Sequence, residues 1–210
     1  MTKFFKEVIQ NPEYKIQKIG EWSTKNDGRY KKGNGVKPVV KYLLNKNELE
    51  NINSSVVYFF VVNNECFYIG QTSTTIKKRM DAYTSTGGMN TENGLYFPSG
   101  ATKNINSKGK GGPRGEGGKT NIKINYNILS FLKENPNTNI EIYVGNYNES
   151  KQIIKGVLPG SEFVLTIPPT MIEKYYTDKF LEIQGRIPNW QGKFDFPPID
   201  YDILNERNKK

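Results

Sequence analysis

The sequence predicts a mixed α/β (α+β) fold with a small sheet core in the order strand, strand, helix, helix, strand, helix (ββααβα). Two apolar runs, 56–62 and 66–70, are rich in β-branched and aromatic residues and flank an Asn-Asn-Glu turn, which is typical of a β-hairpin. Helical spacing of apolar residues follows this hairpin. A stretch rich in Gly, Asn, Ser and Lys, 86–120, interrupts the pattern and indicates a basic insertion without regular structure.

The elements are predicted in chain order as follows. Residues 1–54 form an N-terminal arm, with a short helix carrying Phe4, Phe5, Val8 and Ile9, a polar loop over 23–37, and a second short helix carrying Val39, Val40, Leu43 and Leu44. Residues 55–193 form the main domain, with helices at 74–83, 123–134 and 171–183, a strand at 140–144, and a small hairpin from 153–154 and 163–165. Residues 194–210 form a C-terminal tail.

Composition removes several classes of chemistry. The 210 residues include no histidine, which excludes Ser-His-Asp and Cys-His hydrolysis, His-Glu zinc enzymes and HNH-type nucleases. The one cysteine, Cys66, excludes disulfides and Cys-rich zinc sites and is predicted to be a small core residue. With 30 Lys and Arg against 21 Asp and Glu, the net charge of +9 favours a polyanionic partner.

The hydrophobic runs give no sign of a membrane partner. The longest of them, 56–62, is far shorter than a membrane span, and the N-terminal residues lack the apolar segment of a signal peptide. We therefore expect a soluble, cytoplasmic protein.

Four polar residues carry a family resemblance: Tyr58 in Val-Val-Tyr, Tyr68 in Tyr-Ile-Gly, the helical Arg79, and Glu173 early in the last helix. This order and spacing resembles the GIY-YIG nucleases over roughly 56–193, and most of all their short type II restriction endonucleases. Val-Val-Tyr stands where the family has Gly-Ile-Tyr, which alters backbone and packing positions and leaves the tyrosine in place.

The shared site requires both tyrosines on one face of the hairpin. Side chains alternate along a strand, so a two-residue Asn63-Asn64 turn without irregularity would place Tyr58 and Tyr68 on opposite faces. A three-residue turn that includes Glu65, or an equivalent bulge, places them on the same face. We predict the three-residue turn or such a bulge.

Each of the four residues also has a purely structural interpretation. Strand tyrosines are usually core residues, and an arginine beside an apolar helix face often extends its charge to solvent or pairs with an acid. Residues 170–173, Thr-Met-Ile-Glu, match the capping box of a helix start, which would explain Glu173 without catalysis. Asp178 and Glu182 are then the alternative metal ligands on the same helix.

The resemblance implies phosphodiester hydrolysis with one Mg²⁺ or Mn²⁺ ion per active site, held by Glu173. Arg79 would bind the non-bridging phosphate oxygens, Tyr58 would accept a proton from the attacking water, and Tyr68 would orient water or phosphate. A phenol ordinarily has a pKa of about 10, so Tyr58 can act as a base only beside a cation. Gly70 and Asn189 would support the site structurally.

The basic insertion is predicted to order on DNA, with its glycines allowing close approach to phosphates. The expected phosphate contacts are Lys103, Lys108, Lys110, Arg114, Lys119 and Lys123 of the insertion and its flank, with Lys31 and Lys32 of the arm. The arm would contact DNA or a second subunit. The alternative is a solvated insertion without function.

These observations favour a magnesium-dependent endonuclease that cuts double-stranded DNA as a type II restriction enzyme. A symmetric recognition sequence favours a homodimer, with a cognate DNA methyltransferase as the companion enzyme of such a system. Three alternatives stay open: a homing or repair nuclease of the same fold, a basic nucleic-acid-binding protein without catalysis, and an RNA-directed protein that stacks bases on its aromatic residues.

Overall fold

A computed structural model describes residues 1–28, 34–52, 56–98, 115–145, 151–155, 162–192, 195 and 197–200, with the backbone alone at 115–119, 151–155 and 162–166. The chain divides into two compact units. The first unit comprises Met1–Gly20, Tyr42–Arg79 and Glu141–Gln191, and the second comprises Glu21–Lys41, Met80–Ile140 and Gly192–Lys210. All four residues of the GIY-YIG resemblance therefore belong to the first unit.

The fold is mixed α/β, as predicted. The helices are α1 (Lys46–Asn51), α2 (Ile76–Thr86), α3 (Gly115–Glu134) and α4 (Pro169–Gln184). The strands are β1 (Ile16–Asn26), β2 (Gly35–Tyr42), β3 (Val56–Val62), β4 (Glu65–Thr72), β5 (Gly87–Asn90), β6 (Tyr96–Pro98), β7 (Ile140–Gly145), β8 (Lys151–Lys155) and β9 (Glu162–Thr166). A π-helical turn, Phe5–Ile9, and a 3₁₀ turn, Pro12–Tyr14, precede them.

The first unit is built around the β3–β4 hairpin. Its strands lie in the order β4, β3, β7 and the first part of β1, and β3 is antiparallel to both β4 and β7. Every residue of β3 is buried, so the strand is covered on both faces, as its continuous apolar run predicts. Helix α4 packs its apolar stripe, Ile172, Tyr176 and Phe180, into the core that contains Val57 and Phe59.

The first residues of the chain belong to this core rather than to an arm outside it. Phe4, Phe5, Val8 and Ile9 are all buried in the same cluster as α4. The ring of Phe4 lies 4.9 Å from that of Phe180, edge to face. The predicted helical periodicity was therefore correct, and the apolar face it identified is a core face.

The second unit contains elements that the sequence did not predict. The later part of β1, then β2, β5 and β6, lie side by side where a polar loop (23–37), a second short helix and an unstructured insertion were expected. A Cβ added to Gly87 or Gly88 of β5 would overlap the rings of Tyr96 and Phe97. Aromatic rings thus lie directly over the backbone of these glycines. Because Gly87 and Gly88 have no side chains, β5 does not show the alternation of apolar and polar residues that predicts a strand.

The remaining predicted elements are confirmed with small boundary shifts. Helices α2 and α4, strand β7 and the β8–β9 hairpin lie where the apolar patterns placed them, whereas α3 begins eight residues early, at Gly115. Helix α4 ends at Gly185, whose φ of 70° is the left-handed conformation that glycine adopts after a helix. Within the described part of the chain, no helix is long and apolar enough to cross a membrane.

Candidate active site

The register of the β3–β4 hairpin places Tyr58 and Tyr68 on one face. The turn has two residues, Asn63 and Asn64, with φ values of 48° and 64°, so the predicted three-residue turn is wrong. The alternative, an equivalent bulge, is confirmed, because the register shifts after Phe60 and Phe67 is the extra residue of β4 at that shift. Phe60 then pairs with Tyr68, and the shared face follows from that shift.

Gly70 allows the two tyrosine rings to lie close to the backbone of β4. It pairs with Tyr58 across the hairpin. A Cβ added at Gly70 would lie 2.6 Å from Cζ and Oη of Tyr58 and 2.7 Å from the Tyr68 ring, closer than real Cβ contacts allow. The ring centroids of Tyr58 and Tyr68 are 6.1 Å apart. The glycine of Tyr-Ile-Gly is thus required by packing at this face.

Arg79 joins this face from α2. Its Nε donates a hydrogen bond to the Tyr58 hydroxyl oxygen at 3.0 Å. Arg79 lies in the first turn of α2, where its backbone N–H donates to the Thr75 carbonyl at 3.1 Å, and it is half-buried. Its neighbours Lys77 and Lys78 are exposed, as the helical spacing predicts. The guanidinium therefore turns inward to a phenol, and it does not simply extend to solvent.

Glu173 is not a helix cap. Helix α4 begins at Pro169 with Pro168 as its N-cap and without a side-chain cap, so Thr170 already lies inside the first turn and the capping box is not formed. Desolvation raises the pKa of the half-buried Glu173 carboxyl, and the positive charge of Arg79 acts to lower it. Glu173 is thus within electrostatic reach of Arg79.

The position of Glu173 on α4 differs from that of the two alternative acids. Asp178 is exposed and forms an ion pair with Lys174 at 2.5 Å, and Glu182 is exposed as well. At 100° per residue they are turned about 140° and about 180° away from Glu173. Neither acid lies on the side of α4 that carries Glu173. Glu173 is therefore the acidic residue of this helix that interacts electrostatically with Arg79.

Helix α4 reaches this site along the opposite face of the hairpin. Its apolar stripe contacts Val57 and Phe59, which alternate with Tyr58 along β3. At the far end, Arg186 just beyond α4 pairs with Glu65 beside the hairpin turn. The start of α4, with Glu173, thus lies toward the open end of the hairpin, where α2 begins.

The carboxylate oxygens of Glu173 are suitable ligands for a hard cation such as Mg²⁺. The Glu173 carboxylate is desolvated and forms no hydrogen bond or ion pair with the part of the chain that the structure describes. That part also holds no group of three or more acidic, cysteine or histidine side chains. Mg²⁺ is commonly held by one or two carboxylates, with waters and substrate phosphates completing the shell, so a lone carboxylate fits it.

Two amides lie near β4: Gln191, which binds its backbone directly, and Asn189, whose supporting role stays a prediction. Asn189 is exposed, and its Oδ1 accepts a hydrogen bond from Arg186 at 2.6 Å. Gln191 instead binds the backbone of Ile69, the middle residue of Tyr-Ile-Gly, through both ends of its amide. A glutamine in a loop gives no sequence signal, and only the folded position of 186–191 identifies it.

Among the predicted DNA contacts, the structure describes the side chain of Lys123 alone. Its Nζ donates to the Gly192 carbonyl at 2.8 Å, and burial lowers its pKa, so its ammonium is engaged by the protein backbone. Lys119 lies in α3 by its backbone. The others lie outside the described residues and stay predictions: Lys31, Lys32, Lys103, Lys108, Lys110 and Arg114.

Comparison with known proteins gives a limited result. No family model and no curated protein matches the sequence. Among solved structures, the restriction endonuclease HPY188I in complex with product DNA is 18% identical, with a TM-score of 0.37 and 90% of each chain covered. A mutant of bacteriophage T4 EndoII is 17% identical, with a TM-score of 0.40 and coverage of 90% of this chain and 98% of that one. These TM-scores are too low to support a functional argument.

Proposed function

We propose that this chain is a metal-dependent endonuclease of the GIY-YIG type that hydrolyses phosphodiester bonds of double-stranded DNA. The observation that supports it is the position of Arg79, which hydrogen-bonds Tyr58 and acts electrostatically on Glu173. These residues come from three separate segments, and a helix cap does not explain Glu173. In a chain without histidine, a phenol, a guanidinium and a carboxylate can supply the base, the stabilisation of phosphate charge and the metal ligand for phosphodiester hydrolysis.

The roles follow from the contacts. Arg79, fixed by Tyr58, would bind the non-bridging oxygens of the scissile phosphate, where negative charge grows in the transition state. A cation that donates to a phenol oxygen favours the phenolate, so the Tyr58 oxygen would take the proton of the attacking water. The water oxygen bonds to phosphorus as the P–O3′ bond breaks. Mg²⁺ or Mn²⁺ bound by Glu173 would supply Lewis-acid stabilisation of the phosphate and of the leaving oxygen.

One observation favours a second candidate function. Tyr58 has 0% of its surface exposed, whereas Tyr68 has 6%. A fully buried phenol bound to a guanidinium is also what a structural cluster would show. The second candidate is therefore a basic nucleic-acid-binding protein with the same fold and no catalysis, for which the net charge of +9 is sufficient.

We further propose that the enzyme is a sequence-specific restriction enzyme that acts as a homodimer. One such site per chain cuts one strand, and a twofold axis would supply the second site for a symmetric sequence. A companion DNA methyltransferase would then protect the host sequence.

Incubation of the purified chain with supercoiled plasmid, with Mg²⁺ or with a chelator, tests the proposal. Discrete metal-dependent fragments support a restriction enzyme, and a smear supports the nuclease while removing the sequence specificity. Retarded but intact plasmid overturns the nuclease and supports the binding protein. Glu173→Gln should remove the cleavage, whereas Glu134→Gln, which neutralises an exposed acid at the end of α3, should retain it.

A further inference from the structure

The segment 186–191 lies against the outer edge of β4; we call it the edge strap. Among the described strands of the first unit β4 is the outermost, and none of them lies on its far side. The Trp190 backbone N–H donates to the Phe67 carbonyl at 2.8 Å. Gln191 Nε2 donates to the Ile69 carbonyl at 2.7 Å, and the Ile69 N–H donates to Gln191 Oε1 at 3.3 Å. The edge strap thus completes hydrogen bonds that a further strand would otherwise make.

These contacts fall on the bulge that defines the candidate site. Phe67 is the extra residue of β4 at the register shift, between Cys66 and Tyr68, and the edge strap binds its carbonyl. A one-residue slip of β4 would move Tyr68 to the opposite face, because side chains alternate along a strand. Within the bulge, the Cys66 thiol also donates to the Tyr68 carbonyl at 3.5 Å. A partner for the Phe67 carbonyl therefore stabilises the one register in which the tyrosines meet.

The edge strap also packs on the tyrosine face itself. The Trp190 ring lies 5.5 Å from the Phe67 ring and 6.4 Å from the Phe60 ring. Phe60 in turn lies 5.5 Å from Tyr68 and 5.6 Å from Tyr58. A continuous row of aromatic rings thus runs from the edge strap to the proposed site.

The other end of the edge strap is anchored at the hairpin turn. Arg186 pairs with Glu65, the first residue of β4, and its guanidinium lies 5.6 Å from the Phe180 ring of α4. Arg186 also donates to Asn189 Oδ1. The edge strap is therefore fixed at both ends of the bulged part of β4.

We propose that Gln191 and Trp190 are positioning residues that hold the β4 bulge and so keep Tyr68 beside Tyr58. The catalytic consequence rests on the proposed nuclease function, whereas the effect on strand register does not. Loss of the Gln191 amide would let the bulge fluctuate, and the two phenols would spend less time on a common face. A misplacement of about 1 Å at a reacting group can cost about 100-fold in rate.

The test compares Gln191→Met, which keeps side-chain size without the hydrogen bonds, with Gln191→Asn, whose shorter amide does not reach Ile69. Amide hydrogen exchange at Ile69 should accelerate about tenfold or more in both. Cleavage measured well below the melting temperature should show kcat about tenfold lower with KM for DNA within about twofold. The comparison variant Asn189→Ala, which alters an amide of the same edge strap bound to Arg186, should leave Ile69 exchange within about threefold.

The proposal would be overturned by Ile69 exchange that is unchanged in both Gln191 variants, or by faster exchange with an unchanged kcat. Equal acceleration in Asn189→Ala would also overturn it, because the effect would then be a general loosening of the segment. A wild-type chain that fails to cut DNA contradicts the proposed function, and Ile69 exchange still decides the effect on register. If Gln191→Met does not fold by circular dichroism, the more polar Gln191→Asn decides both readouts.

Discussion

The two faces of the β3–β4 hairpin are both buried but differ in what they require. The core face presents Val57, Phe59, Val61, Cys66 and Ile69 to α4 and the N-terminal residues, and nothing on it needs a charged partner. The site face presents Tyr58, Phe60, Tyr68 and Gly70 and contacts the Arg79 guanidinium. Hydropathy alone does not separate them, since β3 is apolar throughout.

Burial therefore has different consequences on the two faces. On the core face, a side chain contributes mainly through its volume, so substitutions should change the free energy of unfolding. On the site face, buried oxygens and a guanidinium are desolvated and retain specific partners, so substitutions should change chemistry first. The following predictions test this separation, beginning with the largest expected effect.

Arg79→Ala should lower kcat for DNA cleavage about 1,000-fold or more, because it removes the proposed phosphate contact and the hydrogen bond that Arg79 donates to Tyr58. Single-turnover cleavage measures the effect. Lys78→Ala removes the same charge from the exposed side of α2 and should retain kcat within about threefold. Equal losses in the two variants would mean that bulk charge, rather than the Tyr58 contact, explains the result.

Glu173→Gln should lower Mg²⁺-dependent cleavage about 100-fold or more, because a neutral amide is a poor ligand for a hard cation. Cleavage titrated with Mg²⁺ measures the loss, and the weakened metal affinity should appear as a requirement for higher Mg²⁺. An unchanged Mg²⁺ titration would remove Glu173 from the metal site.

The same variant makes a prediction about stability against pH. Desolvation raises the pKa of Glu173 in the folded state, so folding disfavours its ionised form. The protonated Glu173 carboxyl contributes to the stability of the fold at a pH below its pKa in the unfolded chain. This contribution is lost as the pH rises through its pKa in the folded chain. Without metal, Glu173→Gln should therefore melt at a higher temperature than wild type at pH 7, and the difference should disappear near pH 4. A difference in melting temperature between the two proteins that grows as the pH falls would contradict the desolvation of Glu173.

Gly70→Ala should lower kcat about 10-fold to 100-fold and destabilise the fold by about 1–3 kcal/mol, because the added methyl overlaps the Tyr58 ring and moves it from Arg79. Urea unfolding and cleavage rates measure the two effects. Gly28→Ala adds a methyl where no described atom beyond the chain neighbours lies within 4 Å, and it is the matched control. A fully active Gly70→Ala enzyme would show that the close approach of ring and backbone is dispensable.

Ile172→Val is the smallest expected effect and tests the core face beside Glu173. Removing one buried methylene from the α4 stripe should cost about 0.5–1.5 kcal/mol of unfolding free energy. Since this side chain faces the core, kcat below the melting temperature should stay within about twofold. A large loss of kcat at unchanged stability would show that the two faces are not separate.

Apolar patterning predicted the elements that bury large side chains. The hairpin, α2, β7 and α4 follow from spacing, and Gly185 ended α4 as expected. Strand β5 was missed because Gly87 and Gly88 have no side chains, and its stability comes from rings on another strand. When a strand is buried by aromatic residues that are distant in the sequence, its own residues do not show the pattern that would predict it.

The candidate site was predictable in its residues and only partly in its geometry. For Tyr58 and Tyr68 to share a face, the hairpin needed either a three-residue turn or a bulge. The folded chain has a two-residue turn, in which Asn63 and Asn64 both adopt the left-handed conformation, and a bulge in β4. The capping box at Thr170 was an equally good sequence match, and the two prolines before it moved the helix start. Gln191 binds the backbone of Ile69, and the identity of a residue does not indicate from the sequence which backbone groups it will contact.

A double-mutant cycle on kcat with Tyr58→Phe, Arg79→Ala and the two combined tests whether the phenol and the guanidinium act together in catalysis. If the 3.0 Å contact makes them one catalytic unit, the combined variant should be about as slow as Arg79→Ala alone. Losses that multiply would show that Tyr58 and Arg79 act independently, and a Tyr58→Phe enzyme as fast as wild type would show that Tyr58 is only a core residue. Either result would contradict the proposed unit.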